Sequence, residues 1–208
     1  MSNSARLLSL VGDAAALDER SDELVAVATE QNFLAHAAQG AIYCGWVKVK
    51  DGDVAEGVSL LRSGSTAYRA TGGEAWVPHH IALLAAACAI AGQVEESLAL
   101  LDDTLEIVAG TGERLLEAEL NRQKGRLLLR QGHIGAAEEL YRKALRIAQA
   151  QEAKMWELRA SVSLARLWRE QGRRTEAREL LAPAYGWFTE GFNTADLKEA
   201  NGLLDELT

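Results

Sequence analysis

An all-α array of helix hairpins is the fold class the sequence predicts, and three observations predict it. Glycine recurs every 40 residues at Gly52, Gly92, Gly132 and Gly172, with Gly12 one period upstream. Small residues keep the same interval to either side, as Gly45, Ala85, Gly125 and Ala165 and as Gly57, Ser97, Ala137 and Ala177. The composition is rich in Ala, Leu, Glu, Arg and Gln, with only 2 prolines in 208 residues, which favours helix. Columns that stay in one register mark an internal repeat.

Taken in order, residues 3–11 read as a short helix, and Gly12-Asp13 turns the chain into a helix over 14–31 with Leu17, Leu24, Val25 and Ala28 on one side. This is a partial repeat, 1–32, whose first helix has lost its front half. Complete repeats follow at 33–72, 73–112, 113–152 and 153–192. Each has a first helix, a turn at the recurring glycine, and a second helix. Glycine suits the left-handed position past a helix end, and the Asp53 that follows Gly52 suits a helix start. Pro78 falls in or just past the first turn of its helix, where proline costs least. Pro183 falls inside the last second helix and is expected to kink it, with Tyr185 and Phe188 beyond. Thr194 is placed to cap a final helix, 195–207, within a capping segment 193–208. That helix has Leu197, Ala200, Leu203, Leu204 and Leu207 on one face and Lys198, Glu199, Asn201, Asp205 and Glu206 on the other. One wet face is what the end of a stack requires. No linker or charge block interrupts the series, so 1–208 reads as a single continuous domain.

The small columns have a steric reason. Where paired helices cross closely, Cβ atoms collide unless the residues are small. Leu61, Leu101, Tyr141 and Leu181 then fill the volume beside each small residue. The order of small residue, turn glycine, small, large, small resembles the tetratricopeptide repeat, at 40 residues rather than the usual ~34. The resemblance implies a right-handed α-solenoid whose concave side is drawn from the first helices. The runs EAELNRQKGRLLLRQG, KMWELRASVSLARLWREQGR and LLAPAYGWFTEGFNTADLKEANGLLDEL also resemble the C-terminal tetratricopeptide region of large bacterial predicted-ATPase and adenylate-cyclase-like signalling proteins. That likeness, from about residue 30 onward, implies the tail alone and carries over no catalytic part.

Composition narrows the function. A hydrophobic fraction of 48% with 25% charged residues can bury a core, and a net charge of −8 disfavours nucleic acid as a partner. Cys44 and Cys88 are isolated, without metal or redox spacing, and point to a reducing, cytoplasmic setting. The N-terminus is too weakly apolar for a signal peptide, and no run is long enough to span a membrane. No phosphate-binding loop is present, and Gly110-Thr111-Gly112 reads as punctuation between helices. His80 and Cys88 are two helical turns apart, about 12 Å, too far to share one metal ion. No catalytic residue, metal or cofactor is expected. Trp76 and Trp156 share a column at helix starts, and Trp168 and Trp187 are expected to pack between repeats.

The first helices carry the functional expectation. Their inner positions are apolar and aromatic in the first half, with Tyr43, Trp46 and Leu83, and arginine-rich in the second, with Arg122, Arg126, Arg159 and Arg166. Arginine grips carboxylates with paired hydrogen bonds. The competing reading is local pairing with Glu119, Glu157 or Glu170. The expectation is a non-catalytic protein–protein interaction scaffold. It would hold a peptide or protein segment in its concave groove, apolar against Tyr43, Trp46 and Leu83 and acidic against the arginines. The alternatives are a regulatory tail of a signalling ATPase or cyclase, or a small-ligand sensor. A homo-oligomer is compatible with the shortened first hairpin.

Overall fold

The computed structural model describes all 208 residues and contains helices without strands. They form two compact units, Met1–Thr111 and Gly112–Thr208. The first unit holds α1 (Ser2–Val11), α2 (Ala14–Glu30), α3 (Leu34–Asp51), α4 (Val54–Ala70), α5 (Val77–Ile90) and α6 (Val94–Thr111). The second holds a 3-10 turn (Arg114–Leu116), α7 (Glu117–Arg130), α8 (Ile134–Ala150), α9 (Lys154–Glu170), α10 (Arg174–Gly186) and α11 (Ala195–Glu206). No helix is long and apolar enough to cross a membrane.

The hairpins turn where the glycine period places them. Gly12, Gly52, Gly92, Gly132 and Gly172 all take φ between 79° and 101°, which L side chains adopt at a cost. A second left-handed column, again 40 residues apart, follows the second helices: Asn32, Gly72, Gly112 and Glu152. Only two of those four are glycine, so residue identity hides the column.

Packing follows the small columns. Gly45, Ala85, Gly125 and Ala165 are all buried. In the α3–α4 hairpin the backbones nearly touch. A Cβ on Gly45 would lie 2.9 Å from the Gly57 carbonyl oxygen, and one on Gly57 would lie 2.6 Å from the Gly45 carbonyl oxygen. In the α5–α6 hairpin the same pair is Ala85 and Ser97, and the Ser97 hydroxyl donates to the Ala85 carbonyl at 2.6 Å. Leu61, Leu101, Tyr141 and Leu181 are buried beside these crossings. Burial of a leucine-sized side chain contributes roughly 1.5–3 kcal/mol.

Several local expectations change. Asp13 caps α2 by accepting from the Ala16 amide at 3.1 Å, but Asp53 makes no such bond to α4. Thr194 precedes α11 but donates its hydroxyl back to the Gly191 carbonyl, so it closes the preceding turn instead of capping the helix. α10 has 13 residues against 17 in α4 and α8, and stops at Gly186, which leaves Phe188 outside it. Pro183, with no N–H to donate, lies one turn before that end, so it accompanies a shortened helix. Pro78 sits in the first turn of α5, behind Trp76 in a left-handed conformation. Trp168 is buried and its indole N–H donates to Glu138 of α8 at 2.9 Å, which joins two repeats. Trp187 is 58% exposed and stacks edge-on against Phe188, because α10 ends before it can be carried into the core.

Candidate interaction surface

In the C-terminal unit, α7 and α9 carry the arginine stripe. Arg122 forms a two-pronged pair with Glu119, at 2.7 and 2.6 Å, and reaches Ser163 of α9 at 3.2 Å. Gln123 also donates to Glu119 at 3.1 Å. Burial alone would raise the Glu119 carboxyl, but the Arg122 guanidinium outweighs it and holds the group down at about 2. Arg159 grips Asp196 of α11 with two bonds, at 2.9 and 2.6 Å. Arg166 pairs with Glu199 at 2.6 Å and Arg169 with Glu206, both acids on α11. The acids opposite α9 therefore come from the final helix rather than from Glu157, which pairs with Lys154.

Arg126 is the exception. It makes no ion pair, and its Nε is buried without a hydrogen-bond partner. Burial and the neighbouring Arg122 both lower its proton affinity, so the cation sits in an unfavourable place. Tyr141 lies within the influence of Arg122, Arg126 and Arg166; burial nevertheless raises its hydroxyl. A carboxylate arriving here would meet a cation that still needs a counter-charge.

In the N-terminal unit, Tyr43 is fully buried and Leu83 is only 7% exposed, so neither can touch a partner as the chain stands. α1 lies against α3 and the start of α5, and its Arg6 is a neighbour of Tyr43. Ser2 donates to Gln39 at 2.6 Å, the Arg6 guanidinium stacks 3.8 Å above the centre of the Trp76 ring, and Ser9 shares a 2.9 Å hydrogen bond with His79 Nε2. Trp46 remains partly exposed, with Lys50 Nζ 5.7 Å from its ring centre. His80 packs edge-on against Tyr68 at 4.8 Å, and neither of its ring nitrogens has a partner. Burial lowers His79 to about 3 and His80 to about 4, so both are neutral at ordinary pH. Cys88 is buried and Cys44 partly so, each as a free thiol.

Helices paired into hairpins, with small residues at each crossing, define a helical-repeat protein. Residues 78–150 match the tetratricopeptide repeat family model. Three solved structures share the fold. BtubC (BKLC) from P. vanneervenii superposes with a TM-score of 0.66 at 16% identity, over 97% of this chain and 89% of that one. The kinesin light chain nearly identical TPR-like repeats of Podosopora anserina give 0.59 at 22% identity, over 89% and 92%. A single-substitution form of those repeats gives 0.60 at 22%, over 89% and 91%. No curated protein matches the sequence.

Proposed function

We propose that the chain is a non-catalytic scaffold that binds a protein or peptide segment along its first helices. An acidic stretch of the partner contacts Arg126 and Arg166, and an apolar stretch contacts Trp46. The single observation that supports this reading is Arg126, a cation with a buried, unbonded Nε in a row whose other members already hold carboxylates. An incoming acid can pair with Arg126 directly and compete with Glu199 for Arg166, whose ion pair is exposed. Arg122 and Arg159 hold their own acids tightly and shape the row. Tyr43 and Leu83 support the N-terminal face from beneath.

Fluorescence anisotropy with a labelled peptide of alternating Glu and Leu tests this, with a Lys–Leu peptide as control. The Glu–Leu peptide binds, weakens as salt rises, and is lost in Arg126→Glu with Arg166→Glu. Unchanged affinity in the double variant overturns the assignment. The sequence likeness to signalling-protein tails supports a second reading, in which the same scaffold regulates an ATPase or cyclase. The reading frames flanking its gene distinguish the two. Free Cys44 and Cys88 suit a cytoplasmic setting. Exposed Leu7 on α1 and Phe33 and Leu34 at the start of α3 are apolar groups through which copies could associate, and sedimentation against concentration measures that.

A further inference from the structure

A cleft of about 480 Å³ opens in the N-terminal unit between α1, α2 and the start of α3. Its apolar wall includes Leu24, Val27 and Phe33, and its polar groups include Arg6, His36 and Gln39. That volume is in the range of small-molecule sites, which combine apolar walls with a few fixed polar groups.

Arg6 is the group that needs explaining. It forms no ion pair, its Nε is buried without a partner, and its guanidinium carbon lies 3.8 Å above the centre of the Trp76 ring. The titratable groups around it are Tyr43, His79 and His80. Burial pushes the Tyr43 hydroxyl up to about 12 and keeps both histidines unprotonated, so none supplies a negative charge. A partly desolvated cation among neutral groups is unfavourable until an anion joins it. Gln39 adds a donor: its side-chain oxygen is taken by Ser2, which leaves its amide nitrogen for a ligand.

We propose that this cleft binds a small organic carboxylate with an apolar tail. The carboxylate pairs with Arg6 and accepts from Gln39, and the tail packs on Leu24, Val27 and Phe33. The single charge of a carboxylate matches that of the Arg6 guanidinium. Stacking on Trp76 holds the guanidinium plane in place, as two-pronged recognition of a carboxylate requires. The site lies in the other unit from Arg126, so either assignment can fail without the other.

Isothermal titration of the full chain with octanoate, 1-octanol and octylammonium tests the proposal. Octanoate binds, 1-octanol binds about tenfold more weakly or worse, and octylammonium does not bind, as a charge-assisted hydrogen bond at the head group implies. Arg6→Gln lowers octanoate affinity about tenfold and leaves 1-octanol unchanged. Val27→Trp, which fills the cleft and leaves Arg6 in place, removes octanoate binding and stands in if Arg6→Gln does not fold. Equal binding of octanoate and 1-octanol, no binding of octanoate, or undiminished octanoate binding by a folded Arg6→Gln or Val27→Trp chain overturns it.

Discussion

Replacing Gly57 by alanine adds one methyl group at the closest approach in the N-terminal unit. On an exposed helix the change would stabilise by about 1 kcal/mol, because alanine is the better helix former. Here the new Cβ would lie 2.6 Å from the Gly45 carbonyl oxygen, 2.8 Å from the Val49 amide nitrogen and 2.5 Å from a Val49 methyl. The methyl can rotate away; the two backbone atoms cannot. Relief requires α3 and α4 to part by most of an ångström, and a gap of that size forfeits roughly a quarter to a half of each dispersion contact along the interface. Ile42 and Leu61 both sit on it. Overpacking of this kind costs about 1–3 kcal/mol, occasionally more, and it outweighs the gain in propensity. Gly57→Ala is therefore expected to destabilise by up to about 2 kcal/mol net, with faster hydrogen exchange in α3 and α4. Gly110→Ala is the control, because nothing lies within 4 Å of its added Cβ, and it should be neutral or slightly stabilising. A Gly57→Ala protein that melts at or above the parent temperature refutes the reasoning.

Glu119→Gln should flatten acid unfolding of the C-terminal unit. The folded carboxyl is held at about 2, below its unfolded value, so its contribution is complete above the unfolded pKa and is lost as pH falls toward 2. A denaturation series in which parent and variant lose stability equally over that window counts against this. Asp196→Ala strips Arg159 of both its bonds to α11, and the broken charged hydrogen bonds should cost about 1.5–3 kcal/mol locally, read as faster exchange in α11 with α7 and α8 unchanged. Glu152→Gly relieves a left-handed glutamate, φ 53°, and should raise the melting temperature by an amount equivalent to about 0.5–1 kcal/mol. A lower melting temperature would mean that the conformation carries no strain.

The hairpins were legible because they rest on contacts inside one period. The turn glycines and small crossings are local requirements, and the residues that meet them are written at fixed intervals. The second left-handed column was not legible, since Asn32 and Glu152 meet a backbone demand that only Gly72 and Gly112 advertise. At the candidate surface, the arginine row and the local pairing of Arg122 with Glu119 could be read, but the partners of Arg159 and Arg166 could not. Asp196 and Glu199 stand 37 and 33 residues from Arg159 and Arg166, and only the fold brings them together. The placement of α1 against α3 and the start of α5, with Arg6 beside Tyr43, is one for which a shortened repeat gives no periodic signal.

The crossing positions also bear on how such a gene could change. Gly45 with Gly57 and Ala85 with Ser97 occupy equivalent places, yet the second pair carries the side-chain atoms that the first has no room for. Unequal recombination that transplanted only one helix between these hairpins would keep the reading register and still mismatch their separations. Whole hairpins, rather than single helices, are thus the smallest pieces this chain can duplicate or trade without breaking a core.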